Sequence, residues 1–118
     1  MKRVVIPIFQ HRVSPVLDSC RHMFIIDIEQ DTEVDRENIY LGEMSLTERC
    51  DIFAKLEVTI VICGGVSEVF ANMLMGLNIR LFNGIAGEID DVITAFLNKC
   101  LDKPKFYMPG FRQNNRGK

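Results

Sequence analysis

Val58-Thr59-Ile60-Val61-Ile62-Cys63 is the stretch whose reading decides the fold. It is an almost unbroken apolar run, rich in β-branched residues and closed by Gly64-Gly65. Such a run marks a central strand covered on both faces. Just before it, Ser45-Leu46-Thr47-Glu48 has the form of a capping box, in which Ser45 binds a free amide and Glu48 reaches back. A helix is predicted there, with Leu46, Cys50, Phe53 and Leu56 on one face. Just after the run, Val69, Phe70, Met73, Leu74 and Leu77 space out as a second helix face, and Ile79 to Phe82 reads as a last short strand. Gly87 precedes a third helix, whose first turn carries Glu88, Asp90 and Asp91, where acids favour the dipole. Its apolar positions are Ile89, Val92, Ile93, Phe96, Leu97, Cys100 and Leu101, and Pro104 is expected to end it. Strands that arrive through helices should be parallel, with right-handed crossovers.

Upstream, Arg3 to Phe9 reads as a buried strand, Phe24 to Ile28 as a second and Val34 to Leu41 as a third, more exposed one. Ser14-Pro15 is expected to open a short helical turn. Short links between the three strands predict an antiparallel meander. The predicted order is β-β-β-α-β-α-β-α, a single α/β domain over residues 1–103, with residues 104–118 as a flexible basic tail.

The chain has 118 residues, which sets one domain as the expectation. A chain of this size buries roughly 65% of its unfolded surface. With 47% hydrophobic and 25% charged residues it falls among globular domains, which excludes disorder, collagen-like repeats and coiled coil for its body. No apolar run approaches the roughly 18 residues that span a bilayer, so no membrane association is expected. Met1-Lys2-Arg3-Val4 leads straight into a strand-like run, so no signal peptide is expected. The expected compartment is the cytoplasm, with Cys20, Cys50, Cys63 and Cys100 reduced. No two of them form a C-x-x-C pair or a zinc-finger spacing.

The net charge of −2 is unevenly spread. Residues 1–101 hold 9 basic and 15 acidic side chains, whereas 102–118 hold five basic ones against Asp102. An acidic body lacks the basic face that nucleic acid requires, so no nucleic-acid partner is expected. Enzyme motifs are also missing. No G-x-G-x-x-G follows the first strand, and Cys63 has no downstream His to serve as base, since His11 and His22 both lie upstream. A two-metal nuclease needs carboxylates on the first strand, and that strand carries none. The chain is therefore not expected to be an enzyme.

Arg12-Val13-Ser14-Pro15, the strand Phe24 to Ile28, Val61-Ile62-Cys63-Gly64-Gly65 and Gly84-Ile85-Ala86-Gly87 stand in an order and spacing that resembles a known family. It is the nitrogenase iron–molybdenum cofactor biosynthesis domain family, and the resemblance runs over nearly the whole chain. It implies a ribonuclease H-like fold, a five-stranded mixed sheet in order 3-2-1-4-5 flanked by helices. It also implies a binding, carrier or assembly accessory protein for an iron–molybdenum or iron–sulfur metallocluster, working with a cluster donor or recipient protein as a monomer or weak homodimer. Three stretches differ from the family pattern: Val16-Leu17-Asp18 where relatives have His-Phe-Gly, Ser67 in the second-glycine region, and a tail without Cys or His. These differences carry the alternative, a metal-free protein-interaction module on the same fold.

In such a sheet a ligand site is expected where the strand order reverses, between the ends of the first and fourth strands. This edge gathers His11, Arg12, Cys20, His22 and Cys63-Gly64-Gly65. The glycines allow close backbone approach to a ligand, and the following helix start, with Ser67 as its cap, is an anion site. The expected cofactor-binding residues are Cys63, Gly64, Gly65, His11, Arg12 and Ser67. The expected metal ligands are Cys63, His11, His22 and Cys20, thiolate and imidazole being the donors such clusters take.

Overall fold

The computed structural model describes residues 2–101 and 106–107. Its strands are β1 (Lys2–Phe9), β2 (Arg12–Val13), β3 (His22–Glu29), β4 (Thr32–Tyr40), β5 (Ile60–Ile62) and β6 (Arg80–Phe82). Its helices are α1 (Leu46–Lys55), α2 (Glu68–Gly76) and α3 (Ile89–Leu97). The sheet is mixed: β3 lies antiparallel to β1 and β4, while β1, β5 and β6 run parallel.

The expected five strands in order 3-2-1-4-5 are corrected to six, in order β4-β3-β1-β5-β6, with β2 beside β1 and off that path. The added element shifts the number of every later strand by one. It escapes the sequence because its turn carries no glycine. Gln10 (φ 52°) and His11 (φ 67°) both take left-handed backbone, as a type I′ two-residue hairpin requires. Gln30 (φ 53°) and Asp31 (φ 60°) do the same between β3 and β4.

Strand alternation divides the core in two. Val4, Ile6, Ile26, Ile28, Ile60 and Ile62 face α3 through Ile89, Val92 and Ile93. Val5, Met23, Ile25, Val61 and Cys63 face α1 and α2 through Phe53, Phe70 and Leu74. The rings of Phe53 and Phe70 stack 6.4 Å apart, a pair worth about 0.5–1.5 kcal/mol beyond area burial. The capping box forms as predicted: Glu48 N–H donates to Ser45 Oγ at 3.1 Å, and Ser45 N–H donates to Glu48 Oε1 at 2.9 Å.

Three local expectations are corrected. Ser14-Pro15 opens no helical turn, since Ser14 N–H donates to Pro7 O while Pro15 O and Leu17 N–H bond across to Gly65. A hydrogen-bonded turn comes only after them, where Cys20 N–H donates to Leu17 O at 3.3 Å. The third helix stops at Leu97, not near Pro104, because Asn98 caps it and Lys99 turns left-handed (φ 60°). Phe106, expected in a loose tail, is 5% exposed in the α3-side core, and its carbonyl accepts from Ala86 N–H at 2.7 Å. Tyr107 beside it bridges to Ile85, and residues 104–105 and 108–118 lie outside the described residues.

Candidate functional site

The carboxyl ends of β1, β5 and β6 and the start of β3 meet at one edge, where the segment after β2 packs against the turn after β5. Because β3 pairs with β1 as far as Ile8↔His22, β2 folds back on the other side of β1, beyond the end of β5. Residues 14–17 then continue along the β5–α2 loop. Gly65 N–H donates to Pro15 O at 2.6 Å, and Leu17 N–H donates to Gly65 O at 2.8 Å. A Cβ on Gly64 would stand 2.8 Å from both Ser14 O and Pro15 O. The close backbone approach that Gly64 and Gly65 permit is made by the chain itself.

The start of α2 is likewise engaged. Ser67 Oγ accepts from Phe70 N–H at 3.1 Å, the cap expected from the sequence. Asp18 lies against the same turn, accepting from Ser67 N–H at 2.9 Å and from Ser67 Oγ at 2.5 Å. An internal carboxylate therefore occupies the place where the helix dipole favours an anion.

Cys63 has no exposed surface. Burial, with smaller contributions from Cys20 and Asp18, pushes its thiol up to about 12. It is a neutral thiol at physiological pH, whereas a metal ligand must be a thiolate. Cys20 is 5% exposed, and burial raises its thiol too, partly offset by Arg49. Arg49 is 2% exposed and reaches Cys20 O at 2.6 Å and Cys20 Sγ at 3.6 Å through Nη1. Its other nitrogens donate to Met44 O (3.0 Å) and Gly42 O (3.3 Å). Cys50 is buried on α1, and Cys100 is half-buried beyond α3.

The histidines are exposed and separate from each other. His22 packs against Tyr40, ring centroids 5.0 Å apart. It lines a depression of about 470 Å³ with Phe9, Pro15, Val16, Cys20 and Arg21. His11 lines a different hollow, of about 350 Å³, with Phe24, Arg36, Glu88 and Asp90, where its carbonyl accepts from Ile89 N–H at 2.9 Å. Arg12 pairs with Glu88 at 3.2 Å beside it. Of the expected ligands the structure brings Cys20 and His22 into one depression, while His11 lies elsewhere and Cys63 beneath the surface. Among the described residues no three His, Cys, Asp or Glu side chains converge as a metal site. Asp18 and Arg49 are the local organisers that sequence reasoning missed. Asp18 gives no sign of its partner 49 positions away, and Arg49 reads as one more charge on an amphipathic helix.

The family model described as dinitrogenase iron–molybdenum cofactor matches residues 1–99. The chain belongs to this family. No curated protein matches the chain. Solved structures share its mixed α/β fold. The protein PH0822 superposes with a TM-score of 0.80 at 24% identity, covering 86% of this chain and 94% of its own. A proposed dinitrogenase from Methanocaldococcus jannaschii gives 0.71 at 20% identity, covering 88% and 95%. A proposed NifB protein from Thermotoga gives 0.71 at 17%, covering 96% and 99%. At these identities the likeness to solved structures carries the fold alone. Among the described residues no helix is long and apolar enough to cross a membrane.

Proposed function

We propose that this member of the iron–molybdenum cofactor family binds an iron–molybdenum or iron–sulfur metallocluster as cargo, as a carrier or assembly accessory rather than as a catalyst. The observation that carries this reading is the depression of about 470 Å³ that sets His22 beside Cys20. His22 offers an outward-facing imidazole, Arg21 a cation at the rim, and Phe9 and Val16 an apolar wall. Cys20 has Arg49 beside its sulfur, a positive charge that suits an anionic cluster. Cys63 comes into play only if residues 14–17 lift from Gly64 and Gly65. His11 and Arg12 then form the far side of the opened edge, and Ser67 keeps its place at the start of α2. A cluster donor or recipient protein would meet the exposed Phe9, Val16 and Tyr40 around the depression.

Anaerobic reconstitution of the chain with ferrous iron, sulfide and molybdate tests this. Visible absorbance should co-elute with the protein, fall in His22→Ala and Cys20→Ala, and persist in Cys50→Ala and Cys100→Ala. Absence of bound metal in the parent chain sinks the reading. A second reading, the metal-free interaction module, is favoured by the sealed Cys63 and by the exposure of Phe9 (61%) and Tyr40 (61%). It predicts that a partner protein binds the metal-free chain and is lost in Phe9→Ser.

A further inference from the structure

At the opposite edge of the sheet, where β1 and β6 begin, a cavity of about 280 Å³ opens between the sheet and the end of α3. Ile28, Phe82, Phe96, Leu97 and Leu101 form its apolar surface. Phe82 and Phe96 meet edge to face there, centroids 5.7 Å apart at 85°. Its charged lining is Lys2, Arg80 and Lys99 against Asp31 alone.

The choice of cations is informative. Residues 1–101 hold nine Lys and Arg side chains in an acidic body. Arg3, Arg12, Arg21 and Arg36 are ion-paired, and Arg49 is buried on backbone carbonyls. Lys2, Lys55, Arg80 and Lys99 remain, with no ion-pair partner among the described residues, and three of these four line this cavity. Arg80 instead lies over the Phe82 ring, 4.9 Å from its centroid, a placement that leaves its guanidinium edge free for an anion. A net positive charge around an apolar cavity is complementary to an anion with an apolar body.

We propose that this cavity binds a small amphipathic carboxylate, its hydrocarbon body against Phe82, Phe96 and Leu97 and its carboxylate among Lys2, Arg80 and Lys99. The site lies at the other edge of the sheet from the His22 depression and does not depend on the metallocluster reading. An acyl chain or an aromatic ring supplies the same chemistry, so the test uses one of each.

Isothermal titration calorimetry of the full metal-free chain would use octanoate, 2-naphthoate and the uncharged 2-naphthalenemethanol. At least one carboxylate should bind, and the alcohol should bind about fivefold more weakly or worse than 2-naphthoate, or not at all. The exposed double variant Arg80→Gln/Lys99→Gln should weaken carboxylate binding about tenfold, with Lys55→Gln unchanged. Binding of octanoate alone identifies an acyl ligand, binding of 2-naphthoate alone an aromatic one, and binding of both supports the shared chemistry. The proposal is overturned if neither carboxylate binds, if the alcohol binds as well as 2-naphthoate, or if the double variant binds like the parent.

Discussion

Asp18 holds Ser67 from both sides, its carboxylate accepting from the Ser67 amide at 2.9 Å and from the Ser67 hydroxyl at 2.5 Å. The contact ties the loop after β2 to the first turn of α2, across 49 residues of chain. It also puts the protein's own negative charge at that helix start. Asp18→Ala should therefore lower stability by about 1 kcal/mol, the scale of a lost helix cap in an exposed setting. Urea unfolding measures that loss. The same variant should gain more in Tm from added sulfate than the parent does, because the vacated Ser67 amide and hydroxyl become available to an external anion. An equal sulfate response in both proteins would show that the helix start attracts no anion.

The two glycines Gly64 and Gly76 should respond in opposite directions. A Cβ on Gly64 meets backbone oxygens of Ser14 and Pro15 at 2.8 Å, which no side-chain rotation can relieve. Gly64→Ala should cost about 1–3 kcal/mol. Gly76 ends α2 with nothing within 4 Å of an added Cβ, and Gly76→Ala should stabilise by about 0.5–1 kcal/mol. Thermal unfolding of the two variants reads both signs. A tolerant Gly64 would mean that residues 14–17 are not tightly seated.

Cys63 predicts an alkaline dependence. Its folded thiol is raised from 9.0 to about 12, so the native state holds a proton that the unfolded chain releases earlier. The stability this contributes is complete below pH 9 and is lost as pH rises toward 12. Cys63→Ala removes that titration while leaving a cavity cost that does not vary with pH. The stability difference between parent and variant should be constant from pH 6 to 8 and shrink progressively above pH 9. Paired urea titrations over this range decide it, and a flat difference up to pH 11 contradicts a sealed, protonated thiol.

Arg49 should be worth more than a helix-surface charge. Its guanidinium satisfies carbonyls of Cys20, Met44 and Gly42, joining the start of β3 to α1 and the segment before it. Arg49→Met keeps the volume but leaves those oxygens unmet, with an expected loss of about 2–4 kcal/mol. Arg49→Lys, which retains a donor, should lose less. A change below 0.5 kcal/mol in Arg49→Met, the range of surface substitutions, would contradict the role assigned here.

Local chemistry and periodicity belong to neighbouring residues, and these features were legible in the chain alone. The run from Val58 to Cys63 contains the central strand β5, Ser45 and Glu48 mark the start of α1, and the motifs of the family pattern point to the family that residues 1–99 match. The β2 hairpin was not legible, because Gln10 and His11 adopt left-handed backbone that their residue types do not announce. The candidate site divides along the same line. Donor types at one sheet edge follow from sequence and strand direction, whereas burial and pairing are set by residues distant in the chain. Only the folded structure seals Cys63, spends Gly64 and Gly65 on Ser14 and Pro15, and sets Asp18 against Ser67. Only the folded structure gathers Lys2, Arg80 and Lys99 around one apolar cavity. A residue's type specifies what it can bond to, and the contacts that use up or leave free that capacity exist only once separate segments pack together.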